Sequence, residues 1–386
     1  MTREYDAIVV GLGGMGSSAA YHLAARGKRV LGLDAHAPGH TLGSSHGESR
    51  IIRLAYLEHP DYVPLLRRAY DLWREAADRV GSELMRLTGG LFVGPPEGSV
   101  VGGSLESARL HGLDHELLDA DEIHRRHPAM RPSETDAALF EPTAGILFPE
   151  RCIAAQLRLA ALEGADLRHE EPVRSWTATD GGVEVRTDEG RYSAGALVLT
   201  AGAWLGKLLA AVQPLLQPER APVYWLHPRE SPELFEPGRF PIYIWETADL
   251  GVYYGFPHLV RPGVKLGLHH SGDLCDPDTL DRRAAARDEA AVRAFASSRL
   301  PALNGPVASS LVCIYTNTPD EHFLIDRWTE HPSVVYAGGF SGHGFKFASV
   351  VGEILADLAT TGAAAPEANF LRSSRFAAPT LQAGGL

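Results

Sequence analysis

The chain has 386 residues, 45% hydrophobic and 22% charged, with 36 basic against 48 acidic side chains and a formal net charge of −12. That is the composition of a soluble globular protein too long for one small core, so two closely associated domains are expected. The acidic balance argues against nucleic acid or an anionic membrane as the main partner.

The first residues, "MTREYDAIVVGLGG", begin with charge and run straight into a strand, so they do not read as a secretory leader. "DAIVV" (6–10) predicts a strand, "GLGGMGSSAAYHLAARG" a glycine loop opening a helix, and "KRVLGLD" a second strand ending at Asp34. Gly11, Gly13 and Gly16 fit G-x-G-x-x-G, and Asp34 follows Gly16 by 34 minus 16, or 18, residues. Small residues let backbone amides at a helix N-terminus approach a pyrophosphate, and the acid takes ribose hydroxyls. This fingerprint predicts dinucleotide binding without separating FAD from NAD.

In "LGSSHGESRIIRLAY", Ser45-x-x-Glu48 has the form of a capping box. It predicts a helical turn from His46, with Arg50 and Arg53 on one side. The two guanidiniums read either as surface ion-pair partners or as a clamp for a carboxylate or an anionic cofactor group. Residues 60–80 carry Tyr62, Leu65, Leu66, Ala69, Leu72, Trp73 and Ala76 at helical spacing, the pattern of a core-facing stripe. "GALVLTAGAWLGKLLAAVQPLL" is broken by Gly202, Lys207 and Pro214. It reads as a buried strand and then a helix, not a membrane span.

"VYYGFPHLVRPGVKLGLHH" predicts hairpins of a second, sheet-rich domain. Strand alternation there puts Lys265, Gly267 and His269 on one face, either toward solvent or lining a pocket. The cysteines Cys152, Cys275 and Cys313 are too scattered for a disulfide framework or a zinc site, so no metal is expected and a reducing cytoplasm fits. "YAGGFSGHGFKFASVVGEIL" predicts a strand ending at Gly338 and Gly339, a glycine-broken loop, and a helix starting near Phe345. Its N-terminal amides with Lys346 suit developing negative charge. The Ala/Gly/Pro-rich tail after residue 361 reads as irregular, and its last residues, "LQAGGL", are not a Ser-Lys-Leu address.

"CIYTNTPDEHFLID", "VVYAGGFSGHGFKFASVVGEIL", "SHGESRIIR" and "YYGFP…VKLGLHH" together closely resemble the monomeric sarcosine oxidase and N-methyltryptophan oxidase family, from Asp6 to about Leu358. The resemblance implies an α/β (α+β overall) chain with a Rossmann-type FAD-binding domain and a sheet-rich substrate domain, the glutathione-reductase-like/p-hydroxybenzoate-hydroxylase-like FAD fold. The expected division assigns 1–85, 150–218 and 321–386 to the FAD domain, and 86–149 and 219–320 to the substrate domain. FAD is implied to be attached covalently through Cys313, a residue that by itself would read as a small core side chain. Cys152 and Cys275 match nothing catalytic.

Residue by residue, the resemblance implies that Arg53 and Lys346 bind the substrate carboxylate, that Arg50 and His46 sit beside the flavin, and that Lys265 promotes oxygen reduction. His269, Tyr254 and Tyr315 match pocket residues, and Ser44, Val173, Gly202, Gly342, His343 and Gly344 match positions around the cofactor. The implied activity is oxidation of sarcosine by oxygen and water to glycine, formaldehyde and hydrogen peroxide, by a cytoplasmic monomer. A small sarcosine pocket in this family is closed partly by a methionine where this chain has Ile244 and Trp245. Bulkier N-methyl amino acids or cyclic secondary amino acids therefore stand as alternatives, followed by a fructosyl amino acid oxidase and a flavin dehydrogenase with a protein acceptor.

Overall fold

The computed structural model describes residues 3 to 376 and is built on two large sheets. The first has a parallel centre, in which Arg3–Val10 pairs with Val30–Leu33 on one side and Arg191–Leu199 on the other. Asp166–Arg168 extends it beyond Val30–Leu33, and Val334–Gly338 adds in parallel to Arg191–Leu199. A run such as "DAIVV" suits this position because both its faces are covered. Ala7 and Val9 pack into the helical core with Leu23, Ala348 and Val351, while Ile8 and Val10 pack with Leu197, Leu199 and Leu324 on the opposite side.

The helices on the first of those faces are Gly14–Ala25, Tyr62–Val80, Pro149–Leu162 and Ala348–Thr361. All seven residues of the 60–80 stripe are buried, and that helix ends where Gly81 takes φ +66°. The strand expected within 195–204 stops at Leu199, the end of Arg191–Leu199, and the chain runs on into short helical turns at Gly202–Trp204, Leu205–Leu208 and Ala210–Leu215. No helix among the described residues is long and apolar enough to cross a membrane.

The second sheet runs Val307–Asn317, Gln217–Leu226, Val264–His269, Gly251–Gly255, Ile242–Thr247, Gly90–Gly94, Ala137–Glu141, Glu116–Asp119. It is antiparallel except where Ile242–Thr247 meets Gly90–Gly94. Alternation divides its side chains between two environments. Tyr224, Leu226, Tyr243, Trp245, Tyr253, Val264 and Leu266 pack with Phe295 of helix Ala286–Arg299, whereas Val223, Ile244, Tyr254, His269, Cys313 and Tyr315 line a cavity on the other face.

Two expectations are corrected. Residues 45–49 form bends rather than a helical turn, Glu48 has φ +67°, and Arg50–Ile52 is a strand paired with Gly145–Leu147. The tail is not wholly irregular: Pro366–Leu371 and Ser373–Phe376 are 3-10 turns, and Leu371 is fully buried. Residues 377–386, including "LQAGGL", lie outside the described residues.

Candidate active site

One cavity of about 860 Å³ runs from the glycine loop to the face of the second sheet. At its nucleotide end, Gly11 has φ +90° and a Cβ there would sit 2.6 Å from the Thr200 carbonyl oxygen; at Gly16 a Cβ would sit 1.7 Å from the Gly11 oxygen. These two glycines set the turn and the helix-to-strand contact, and Gly16 does not itself line the cavity. Gly13 differs, because its Cβ would meet nothing nearer than Ser45 Oγ at 3.9 Å, and it lines the cavity wall. Helix Gly14–Ala25 has no acidic side chain in its first turn, leaving its N-terminal partial positive charge available to an anion. Asp34 is buried at the end of its strand, where Oδ2 accepts from the Leu12 amide at 2.7 Å and Oδ1 from the His36 amide at 2.9 Å. Val173 and Gly202 complete this end. A glycine cradle, an anion-binding helix end and a fixed carboxylate fit the pyrophosphate and ribose of a dinucleotide.

In the middle of the cavity, Cys313 projects from strand Val307–Asn317 and is 5% exposed. Its Sγ lies 3.5 Å from Nε2 of His46 and 3.9 Å from Nη2 of Arg50. Burial, with Arg50 adding to it, pushes the His46 pKa down to about 4, so the imidazole is neutral at physiological pH. The loop carrying His46 is gripped from two sides. Glu150 Oε1 accepts from the Gly47 and Glu48 amides at 2.7 and 3.1 Å, while Lys265 Nζ donates to the Gly47 and Ser49 carbonyls at 2.7 and 3.0 Å and to Ser49 Oγ at 3.2 Å. Arg50 donates to the Ser44 carbonyl at 2.7 Å.

Of the strand face Lys265, Gly267 and His269, only His269 lines the cavity; Lys265 is 3% exposed and sits against Ser49, which supplies the wall there. Burial, reinforced by Arg50, lowers the Lys265 pKa to about 7.

The far end holds two more cations. Arg53 is 1% exposed and paired with Glu58 at 2.6 Å, while its Nε has no hydrogen-bond partner among the described residues. Burial alone would raise the Glu58 carboxyl, but Arg53, His343 and Lys346 hold it down at about 2. Lys346 donates to the His343 carbonyl, and burial followed by Arg53 lowers its pKa to about 7. It stands at the start of the turn Phe345–Phe347 that leads into helix Ala348–Thr361. His343 is bonded through Nδ1 to the Tyr56 hydroxyl and through Nε2 to the Glu321 carbonyl.

Ser44, Gly342, His343 and Gly344 all line the cavity, as do Ile244, Tyr254 and Tyr315. Burial raises the Tyr254 pKa to about 12 and pushes that of Tyr315 up as well. Gly342 is required where it stands, since it has φ +78° and a Cβ would come within 2.7 Å of the Tyr315 ring. Trp245 points away into the second core, so the suspected Ile244-Trp245 pair contributes only Ile244 to the wall. Cys152, Cys275 and Cys313 are free thiols.

Arg50, Arg53, Lys346 and Cys313 all line the one cavity, and His46 touches Cys313 without lining it; Glu58, Glu150 and Tyr56 were not among the expected site residues. Glu150 and Tyr56 act through contacts that no local pattern announces, spanning 103 and 287 residues, whereas Glu58 lies only five residues beyond the Arg53 it pairs with.

Residues 6–358 match the family described as FAD dependent oxidoreductase. The chain is 48% identical over 381 residues to the monomeric sarcosine oxidase of Streptomyces avermitilis, covering 98% of this chain and 99% of that protein. It is 36% identical over 376 residues to the N-methyl-L-tryptophan oxidase of Salmonella arizonae, covering 97% and 99%. Among solved structures it is similar to the open form of NikD, an unusual amino acid oxidase essential for nikkomycin biosynthesis, with TM-score 0.82, 26% identity and coverage of 96% and 98%. L-proline dehydrogenase from P. horikoshii superposes with TM-score 0.84 at 25% identity, covering 97% and 98%. The glycine cradle, Asp34 and the cavity joining them to the second sheet are thus those of the FAD dependent oxidoreductase family, to which this chain belongs, within the group of monomeric sarcosine oxidases and N-methyl-L-tryptophan oxidases.

Proposed function

We propose that the protein is an oxidase of N-methyl amino acids that converts sarcosine, oxygen and water to glycine, formaldehyde and hydrogen peroxide. The observation that supports this reading is that two buried cations, Arg53 and Lys346, line the same cavity as the glycine loop and Cys313. Two buried cations there suit a small carboxylate, and the identity to monomeric sarcosine oxidase across the whole chain supports sarcosine in particular.

Gly11, Gly13, the N-terminus of helix Gly14–Ala25 and Asp34 would hold FAD, which would supply the two-electron redox chemistry between substrate and oxygen. Cys313 is its covalent attachment point, with neutral His46 and the Arg50 guanidinium beside the thiol. Arg53 and Lys346 clamp the substrate carboxylate and so fix where the N-methyl group lies. Tyr254, Tyr315, His269 and Ile244 wall the substrate and exclude water. Lys265 would supply positive charge close to where oxygen is reduced, acting electrostatically rather than as a proton donor.

The proposed division into 1–85, 150–218 and 321–386 against 86–149 and 219–320 is supported by the two large sheets, whose strands it separates except where it cuts Gln217–Leu226 after Pro218, while the three-stranded sheet of Arg50–Ile52, Gly145–Leu147 and Met85–Leu87 straddles it. The enzyme works as a cytoplasmic monomer on a small molecule and oxygen. A second reading, an oxidase of bulkier N-methyl amino acids, is favoured by Ile244 at the pocket wall and by the 36% identity to N-methyl-L-tryptophan oxidase.

The test is product stoichiometry under air. Formaldehyde and peroxide forming one for one with sarcosine consumed is the expected result. Formaldehyde without peroxide makes the protein a dehydrogenase with another acceptor.

A further inference from the structure

His269 and His270 are consecutive and both line the cavity, with ring centroids 4.2 Å apart, yet their surroundings differ. His269 ends its strand between Tyr254 and Tyr315, where burial and the neighbouring His270 push its pKa down to about 3. His270 adopts a left-handed backbone, φ +59°, and its Nδ1 lies 3.1 Å from Oε2 of Glu219. Such a conformation in a non-glycine residue costs about 1–3 kcal/mol and persists only where contacts over-determine it.

The contacts are present. Glu219 is 2% exposed, and its carboxylate also accepts from the Gly272 amide at 2.8 Å, Asn317 Nδ2 at 2.6 Å and Ser271 Oγ at 3.4 Å. Among the described residues only Nδ1 of His270 is hydrogen-bonded, and its side chain is 25% exposed, open to both cavity and solvent. An imidazole whose Nδ1 is fixed by an immobile carboxylate, with Nε2 left over, is the arrangement of an oriented general base.

We propose that His270, oriented by Glu219, takes the proton from the substrate's secondary ammonium. The inference rests on the reading above that the substrate is a secondary amine. Such a nitrogen is protonated at neutral pH, with an ordinary pKa near that of lysine, about 10, and only the neutral amine has a lone pair to support oxidation. The N–H bond breaks with its electron pair staying on nitrogen, and the proton forms an N–H bond at Nε2. The products are neutral amine and an imidazolium paired with Glu219.

The other histidines near the substrate do not suit the task. His343 has both ring nitrogens bonded, His46 faces Cys313, and all of His46, His269 and His343 are driven well below the ordinary histidine range. Around His270 the facing groups are Glu219 from strand Gln217–Leu226, Glu321 and Glu58 from the loops, and the rings of His269 and Tyr315. Burial disfavours its charge, but the three carboxylates more than offset burial and hold its pKa above the ordinary value.

The test is anaerobic reduction of the holoenzyme by sarcosine in a stopped-flow instrument, from about pH 5 to about pH 9, with Glu219→Gln and His270→Asn beside the wild type. A base must be unprotonated, so the second-order rate rises with pH through the His270 pKa. Glu219→Gln removes the charge that raises this pKa and shifts the limb to lower pH. His270→Asn abolishes the limb and lowers the rate by about 10²-fold or more, and added imidazole restores part of it. The imidazole resonance assigned by its loss in His270→Asn must show the same shift in Glu219→Gln by NMR, a readout independent of turnover. If His270→Asn keeps the wild-type rate and limb while sarcosine still reduces the wild type, the proposal is overturned and the functional reading stands. If no secondary amine reduces the wild type, both fall. Should His270→Asn fail to fold, the Glu219→Gln shift decides, and an unmoved limb overturns the proposal.

Discussion

Cys313 and His46 are in direct contact, Sγ 3.5 Å from Nε2, although they stand 267 positions apart in the sequence. The contact depends on the loop around His46 being held by Glu150 on one side and Lys265 on the other. Cys313→Ser keeps the side-chain volume close to native and removes the sulfur. After acid denaturation and centrifugation, the yellow colour is expected in the pellet for the wild type and in the supernatant for Cys313→Ser. Colour in the wild-type supernatant contradicts covalent attachment.

Lys265→Met separates the two half-reactions. Anaerobic reduction by sarcosine is expected to change only a few-fold, while reoxidation by oxygen slows by about 10²-fold or more, the scale of losing one fixed electrostatic group at a reacting centre. The variant also gives up three hydrogen bonds to residues 47–49, so a lower melting temperature accompanies it. Equal slowing of both half-reactions rules out the division of labour.

Carboxylate binding carries a pH signature. Burial and Arg53 lower the Lys346 pKa to about 7, so the ammonium is charged below that pH and loses its proton as pH rises through it. An anion bound beside Lys346 favours the charged form, so affinity for a carboxylate competitive inhibitor is greatest at low pH and falls as pH rises past about 7. Lys346→Met is expected to flatten that dependence. Arg53→Met is expected to weaken binding at every pH by about 3–5 kcal/mol, since it leaves Glu58 buried without its partner and facing the incoming carboxylate.

Side-chain preference follows which residue of the 244–245 pair reaches the cavity. Ile244→Ala is expected to raise kcat/KM for N-methyl-leucine relative to sarcosine by about 10-fold or more, the scale of one or two methylenes in an apolar pocket. Trp245→Phe perturbs the packing against Phe295 and lowers stability but leaves that ratio unchanged. A ratio that follows Trp245 instead contradicts the placement.

The parts of the fold legible in the sequence were those fixed by local pattern. Gly11, Gly13, Gly16 and Asp34 announce themselves because the strand, turn and helix that need them are contiguous, and the 60–80 helix because one face of it is apolar. The helical turn at Ser45–Glu48 was misread for a definite reason. The amides of Gly47 and Glu48, which a capping box would serve locally, are taken by Glu150, and Glu48 adopts a left-handed conformation incompatible with the turn. Lys265 was assigned to the right strand face, but its three acceptors come from the distant 47–49 segment and hold it off the cavity wall. His270 and Glu219 meet only because two strands of the second sheet lie side by side, and spacing in one chain carries no trace of that.

The central claim is that an N-methyl amino acid, clamped at Arg53 and Lys346, reduces the bound flavin. The direct measurement is anaerobic bleaching of the flavin absorbance by a panel of sarcosine, N-methylalanine, N-methylleucine, N-methyltryptophan, proline, pipecolate and a fructosyl amino acid. The account predicts rapid bleaching by N-methyl amino acids, fastest with sarcosine, and little by the fructosyl compound. A flavin that none of the N-methyl compounds bleaches would contradict it.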